Sequence, residues 1–350
     1  MRLAVFSAKP YDKAFLSDAH AARDPSLPPV TLAYHDFSLN LDTVNLVRDA
    51  DAVCVFVNDV LSAPVLESLS RAGVRAVLLR CAGYNNVDLV AAEHLGLAVA
   101  NVPSYSPEAV AEYAVALIQT LNRKTHRAYN RVREGNFALD GLLGRTLCGK
   151  TVGLIGTGRI GFAFARIMKG FGCTLYAYDP FPSKEFEGLG EYISLEELLP
   201  KCDFISLHCP LTDETKHIIS DKTLAQVKPG AFLVNTSRGG LVNTKAVISA
   251  LKEKRLSGLA LDVYEGEGKL FYDDHSGEII DDDELARLMT FPNVLISGHQ
   301  AFFTEEALQE IAECTLRNLD DVALGRRGAN SLVRDQRIMV RRDSLPVRNV

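Results

Sequence analysis

One stretch, Lys150 to Asp179, constrains this chain more than any other. Thr151-Val152-Gly153-Leu154-Ile155 is a short run of β formers, Gly156-Thr157-Gly158-Arg159-Ile160-Gly161 interrupts it, and Phe162 to Met168 continues with helix formers. A second apolar run, Thr174 to Tyr178, ends on an acid, Asp179. Strand, glycine turn, helix, strand and acid in that order describe the βαβ unit that holds a dinucleotide, whereas the glycine motif by itself is weak evidence. Gly156 permits the tight turn, Gly158 lets the backbone approach a pyrophosphate, and Gly161 lets helix and strand pack closely. The N–H groups at the helix start then face a phosphate. Asp179 can accept from both hydroxyls of an adenosine ribose and would repel a 2′-phosphate, which favours NAD over NADP. The competing reading is that the glycines only close a turn and Asp179 only caps one.

The rest of the chain supplies the setting for such a unit. A length of 350 residues accommodates two domains, and 47% hydrophobic content is that of an ordinary globular core. The apolar runs are strand-sized, far short of the ~20 residues needed to span a bilayer. Met1 to Phe6 reads as a first strand rather than a signal peptide, so a cytoplasmic address is expected. The seven cysteines (54, 81, 148, 173, 202, 209 and 314) form no CxxC pair and read as buried free thiols; no metal site is expected. A net charge of −6 argues against a nucleic-acid surface. Only the tail is basic, through Arg326, Arg327, Arg334, Arg337, Arg341, Arg342 and Arg348, and it reads as a solvated terminus.

Strands are expected at 3–6, 30–34, 52–57, 76–80 and 98–101, with helices at 61–72 and 87–95, which makes the first hundred residues a parallel α/β domain of their own. Ser106-Pro107 opens a long helix with apolar positions through Leu121. After Asp179 the alternation resumes. Helices are expected near 195–199, 223–227, 245–253 and 283–289, and strands at 204–207, 231–235, 258–261 and 294–297. Glu265 to Asp283 reads as a polar, acid-rich surface loop. The last helix, 305–324, is expected to return to the first domain.

Three successive strands of the second domain each release a residue with catalytic potential. Arg238 follows 231–235, Asp262 and then Glu267 follow 258–261, and His299 follows 294–297. Parallel sheets present these ends on the edge to which the glycine turn also points. Guanidinium grips a carboxylate through two parallel hydrogen bonds, which suits a 2-keto acid. Imidazolium is the proton donor matched to neutral pH, and a carboxylate beside it favours the charged form and fixes the ring. Arg238, His299 and Glu267 fit these roles in turn. His208, which also follows a strand, is a rival acid, and Glu265 is a rival for Glu267. Asp262 either holds a nicotinamide amide or caps a turn.

The segments around the glycine motif, Asn235-Thr236-Ser237-Arg238-Gly239, Asp262-Val263-Tyr264-Glu265-Gly266-Glu267 and Gly298-His299-Gln300-Ala301-Phe302 resemble, in order and spacing, the D-isomer-specific 2-hydroxyacid dehydrogenases. The resemblance covers nearly the whole chain. Residues 102–112, the insertion after Glu267 and Gly-His-Gln-Ala-Phe look like its fermentative D-lactate dehydrogenase branch. It implies a Rossmann NAD-binding domain, 102–299, inserted in a discontinuous flavodoxin-like catalytic domain, 1–101 and 300–350, and a homodimer or homotetramer. It implies Arg238 on the substrate carboxylate, His299 as proton donor and Glu267 as its partner. It also implies NAD contacts at Arg159, Ile160, Asp179, Cys209, Pro210, Thr236, Ser237 and Asp262, with Ala82, Gly83, Tyr105 and Phe302 enclosing the substrate. Tyr84 and Ser104 depart from the family's usual residues, which bears on substrate size. The reaction implied is reversible reduction of pyruvate to D-lactate. Two alternatives stay open: a bulkier 2-keto acid such as phenylpyruvate or 2-ketoisocaproate, and a nicotinamide-sensing corepressor of the same fold.

Overall fold

A computed structural model describes residues 1–333. These divide into two compact units, one of residues 1–106 with the chain from Phe303 onward, the other Pro107–Phe302. The expected boundaries at 101/102 and 299/300 are each shifted a few residues. Val102 is buried and donates its N–H to the Cys81 carbonyl, which keeps the chain in the first unit. At the other end the N–H groups of Gln300 and Ala301 donate to Asp262, which keeps those residues in the second.

The first unit holds strands β1 (Arg2–Val5), β2 (Thr31–Tyr34), β3 (Ala52–Val55), β4 (Ala76–Leu79) and β5 (Ala98–Ala100), with helices α1 (Pro10–Ala21), α2 (Ala63–Arg71) and α3 (Leu89–His94). The order is β2-β1-β3-β4-β5 and every pairing is parallel, the flavodoxin-like arrangement. Leu3, Val5, Cys54 and Leu78 alternate along their strands onto one face, which Leu16 of α1 and Ala312, Leu316 and Leu319 of the C-terminal helix Glu305–Ala323 cover. Helix α1 was not legible in the sequence. Helix α2 starts two residues later than expected because Leu61 bridges Val87 and Pro64 sits in the first turn.

The second unit begins with α4 (Pro107–Arg123) and α5 (Thr125–Arg133), separated by Lys124 at φ +54°. There follow β6 (Thr151–Ile155), α6 (Arg159–Gly170), β7 (Thr174–Tyr178), α7 (Lys184–Glu187), β8 (Glu191–Tyr192), α8 (Leu195–Lys201) and β9 (Phe204–Leu207). The chain continues through α9 (Asp221–Leu224), β10 (Ala231–Asn235), α10 (Thr244–Lys252), β11 (Leu256–Leu261), α11 (Asp283–Met289) and β12 (Val294–Ile296). The sheet runs β12-β11-β10-β9-β6-β7-β8, again all parallel, with the reversal of order at β6/β9 that marks a Rossmann fold. Neighbouring residues face opposite ways: Val234 and Ala260 pack under α4 and α6, whereas Leu233 and Leu259 pack against α8 to α11. Both faces are therefore covered, which explains why the strands read as continuous apolar runs.

The insertion 265–283 is irregular apart from one 3₁₀ turn at Glu267–Lys269. Six of the seven cysteines are buried as expected; Cys148 is the exception, exposed in the approach to β6. Arg326 and Arg327 are exposed, and the other arginines of the basic tail lie outside the described residues. Among the described residues no helix is long and apolar enough to cross a membrane, and no group of three or more His, Cys, Asp or Glu side chains is placed to hold a metal ion.

Candidate active site

The turn after β6 is built by crowding. Gly156 takes φ +100°, and a Cβ there would lie 2.6 Å from the His208 carbonyl carbon and 2.7 Å from the Cys209 nitrogen. A Cβ on Gly161 would collide with the Gly156 carbonyl oxygen, so the first turn of α6 rides directly on the glycine turn. Gly158 is the N-cap of α6 in an extended conformation open to any residue, so its lack of a side chain, not its φ, is what it contributes. Arg159 and Ile160 follow as the first helical residues, the former exposed and the latter half-buried.

Asp179, half-buried after β7, is already engaged: Oδ2 accepts from the Thr157 N–H (2.8 Å) and hydroxyl (2.9 Å), and Oδ1 from the Phe181 N–H (2.8 Å). It therefore does cap a turn, and it ties that turn to the glycine loop. Oδ1, with one donor, keeps an acceptor position for a hydroxyl.

On the same sheet edge, the turn after β10 is folded by Asn235, whose Oδ1 accepts from the Ser237 N–H (3.0 Å) and whose Nδ2 donates to the Arg238 carbonyl (2.8 Å). The Ser237 hydroxyl donates to the Cys209 carbonyl (2.6 Å), joining this turn to the one after β9. Arg238 is half-buried and spends one Nη1–H on the Ser237 carbonyl (2.7 Å), leaving its remaining donors for a ligand. Next along, Gly239 lies so close to the Tyr264–Glu265 peptide that a Cβ would overlap it. The loop carrying Arg238 thus touches the loop carrying Glu267.

Glu267 and His299 meet. Imidazole Nδ1 lies 2.9 Å from Glu267 Oε1, and Oε2 accepts from the Tyr264 N–H at 2.9 Å. Both side chains are mostly enclosed, at 18% and 23% exposure. His299 sits at φ +52°, an uncommon conformation for a residue with a Cβ. Asp262 holds it there. The His299 N–H donates to the Asp262 carbonyl (2.8 Å), while the wholly buried Asp262 carboxylate accepts from the Ser297 hydroxyl (2.7 Å) and from the Gln300 and Ala301 N–H groups (both 2.9 Å). Asp262 thus caps this turn, and its Oδ2 accepts from a single donor.

The rivals separate on the same evidence of partners. Glu265 accepts from His217 Nε2 at 3.0 Å, not from His299. His208 bonds Ser206 through Nε2 (2.9 Å), its Nδ1 is buried without a partner, and withdrawal from water pushes its pKa down to about 3. A histidine that stays neutral to such low pH cannot be the proton donor at neutral pH.

A family model for the D-isomer specific 2-hydroxyacid dehydrogenase NAD binding domain matches residues 115–301. The 2-hydroxyacid dehydrogenase A of Aspergillus oryzae is 66% identical over 99% of this chain and 100% of its own length. D-lactate dehydrogenase kk1H of Curvularia clavata is 64% identical, covering 98% of each chain. The chain belongs to the D-isomer-specific 2-hydroxyacid dehydrogenases.

Among solved structures, apo D-lactate dehydrogenase from Escherichia coli superposes with a TM-score of 0.87 at 47% identity, covering 95% of this dehydrogenase and 100% of that chain. The protein is thus an NAD-dependent D-2-hydroxyacid dehydrogenase. Its residues fit the cofactor. Gly158, the N-cap of α6, puts the first N–H groups of that helix beside a residue without a side chain, and the Thr236 hydroxyl, buried beside Ser237, has no partner among the described residues. Cys209, buried, has its thiol pKa pushed up to about 12 by desolvation, so it offers an apolar wall rather than a charge. Pro210 follows it, its carbonyl taken by the Thr215 hydroxyl.

In the first unit, Ala82 and Gly83 follow β4, their carbonyls accepting from Asn101 Nδ2 (2.8 Å) and the Cys81 thiol (3.2 Å). Tyr105 is half-buried near the end of that unit, and Phe302 is buried at the end of the other. Sequence reasoning passed over Asn235, Ser297 and Tyr272. Asn235 carried a signal, an Asn at a strand end before small polar residues, the composition of an Asx turn. Ser297 and Tyr272 carried none, because their partners are distant in sequence: the Ser297 hydroxyl donates to Asp262 (2.7 Å) and the Tyr272 hydroxyl to the His299 carbonyl (3.4 Å).

Proposed function

We propose that this dehydrogenase reversibly reduces pyruvate to D-lactate, with Arg238, Glu267 and His299 as its catalytic residues. The observation that carries the reading is the 2.9 Å contact between His299 Nδ1 and Glu267 Oε1, on the sheet edge that also presents Arg238. A carboxylate only accepts, so Nδ1 donates to Glu267 and Nε2 is left to face the substrate. In the reducing direction the imidazolium gives the Nε2 proton to the carbonyl oxygen; in the oxidising direction neutral Nε2 takes it from the hydroxyl. Glu267 fixes the ring and balances the positive charge. Arg238 clamps the carboxylate and draws electron density from the neighbouring carbonyl. NAD, when bound, supplies or accepts the hydride. We assign Gly156, Gly158, Gly161, Arg159, Ile160, Asp179, Cys209, Pro210, Thr236, Ser237 and Asp262 to the cofactor, and Ala82, Gly83, Tyr105 and Phe302 to the substrate. The first unit would then be the substrate domain.

The mixed names of the two relatives leave a bulkier 2-keto acid as the second reading. Initial rates with pyruvate, phenylpyruvate and 2-ketoisocaproate, each with NADH and NADPH, decide between them. Pyruvate with NADH is expected to give the highest kcat/KM, and a higher value with either bulky acid would overturn the pyruvate assignment.

One surface supports assembly. Helix α5 has no buried residue, and Tyr129, Val132, Phe137, Leu139 and Leu143 are all exposed, the last at 89%. So much apolar surface in one stretch supports association, and we read the enzyme as a homodimer or homotetramer; its D-lactate dehydrogenase relatives support a cytoplasmic role in fermentation. A monomer by sedimentation at micromolar concentration would contradict it.

A further inference from the structure

The loop after β11 carries a second histidine–carboxylate pair that the chemistry above leaves unused. Glu265 Oε1 lies 3.0 Å from Nε2 of His217, in the segment that follows β9. His217 takes φ +53°, which a residue with a Cβ adopts only when its surroundings hold it there. The hold is visible. The His217 N–H donates to the Gly240 carbonyl (2.9 Å), Ile219 N–H to Leu241 (3.0 Å) and Asn243 N–H back to Ile219 (2.9 Å), while Ile219 bridges Val242 in parallel. Residues 217–219 therefore run alongside 240–242, directly after Arg238 and Gly239.

These contacts close a ring. The 217–219 segment is bonded to 240–242, Gly239 lies against the Tyr264–Glu265 peptide, and the Glu265 side chain returns to His217. The paired side chains are 31% and 41% exposed, a setting in which an ion pair adds little to stability. What the pair does fix is the register of two loops whose other residues are Arg238 and Glu267. We propose that His217 and Glu265 are positioning residues that set the Arg238 turn against the Glu267 loop, so that the guanidinium is aligned for a substrate carboxylate. This rests on the reading of Arg238 given above.

The test compares His217→Ala, His217→Gln, Glu265→Ala, the His217→Ala/Glu265→Ala double variant and Arg238→Lys in the full-length enzyme. The readouts are NADH affinity by fluorescence, affinity of the NADH complex for oxamate (an unreactive amide analogue of pyruvate), KM and kcat for pyruvate, and Tm. His217→Ala is expected to weaken oxamate binding and raise KM about fivefold, the worth of one exposed pair, with kcat within about twofold and NADH affinity unmoved. Glu265→Ala should match it, the double variant should be no worse than either single one, and His217→Gln, whose amide can donate to Glu265, should restore most of the loss. Unchanged oxamate affinity in His217→Ala, while Arg238→Lys weakens it, overturns the brace and leaves the Arg238 reading standing. Unchanged affinity in Arg238→Lys itself overturns both. A loss shared equally by NADH affinity and Tm, and not restored by His217→Gln, also overturns the proposal, since that is the signature of general destabilisation.

Discussion

The edge of the second sheet has two halves, and each contains a histidine just past a strand. After β9 stands His208, among the backbone of the glycine turn and 4.8 Å from the Phe164 ring, with no charge facing it and a pKa pushed down to about 3 by desolvation. After β12 stands His299, with the Glu267 carboxylate at 2.9 Å and a turn held by the buried Asp262. The first half is shaped by missing side chains, which suits a cofactor held through its backbone contacts. The second pairs an imidazole with a carboxylate, which suits proton transfer. The same strand-end position thus holds a ring with no charged partner in one half and a ring paired with a carboxylate in the other.

The largest expected effect tests the charged half. His299→Gln should lower turnover by about 10³-fold, within the usual range for losing a general acid, while NADH binds as before. Turnover within tenfold of the parent would remove His299 from the reaction and with it the contrast between the two halves. Arg238→Lys comes next, with kcat/KM for pyruvate expected to fall about 10²-fold, mostly through KM, because an ammonium cannot make the two parallel bonds of a guanidinium. Steady-state kinetics with normal constants would contradict the carboxylate clamp.

A milder change tests the cofactor half. Asp179→Ala should shift the NADH/NADPH ratio of kcat/KM toward NADPH by about tenfold, since one hydrogen-bonded carboxylate is lost and no cation replaces it. An unaltered ratio would mean that Asp179 serves only the Thr157 and Phe181 N–H groups it already holds.

How much of this was legible in sequence depended on whether the cause was local. The βαβ unit at 151–179 was legible because its strands, glycines and acid follow one another within one supersecondary unit, and the parallel strands because burial on both faces leaves them uniformly apolar. Helix α1 was missed because its apolar positions are few, and it is held largely by packing with the C-terminal helix nearly three hundred residues away. Within the site, residue types at strand ends were legible but their partners were not. Glu265 and Glu267 are equivalent as sequence, and only the fold of the 264–267 turn sends one to His217 and the other to His299. His208 and His299 were likewise separable only once the surroundings of each ring were known.

The smallest effect on activity, and the sharpest test of that separation, is His208→Gln. The Gln amide can still meet the Ser206 hydroxyl, so turnover should stay within about twofold, as expected for a residue outside the proton path. The acid side of the stability curve should change instead. His208 has a folded pKa of about 3, below its ordinary value near 6.5, so between those pH values the unfolded chain binds the extra proton. Stability therefore falls as pH drops through that window, and this residue contributes a slope of up to about 1.4 kcal/mol per pH unit. Glutamine does not titrate, so the slope should flatten. Urea midpoints for parent and variant at pH 5 and pH 6.5 measure it directly: a gap between the two proteins that does not narrow or reverse toward pH 5 would mean that His208 accepts its proton in the folded state, and the two halves of the edge would then differ less than their geometry implies.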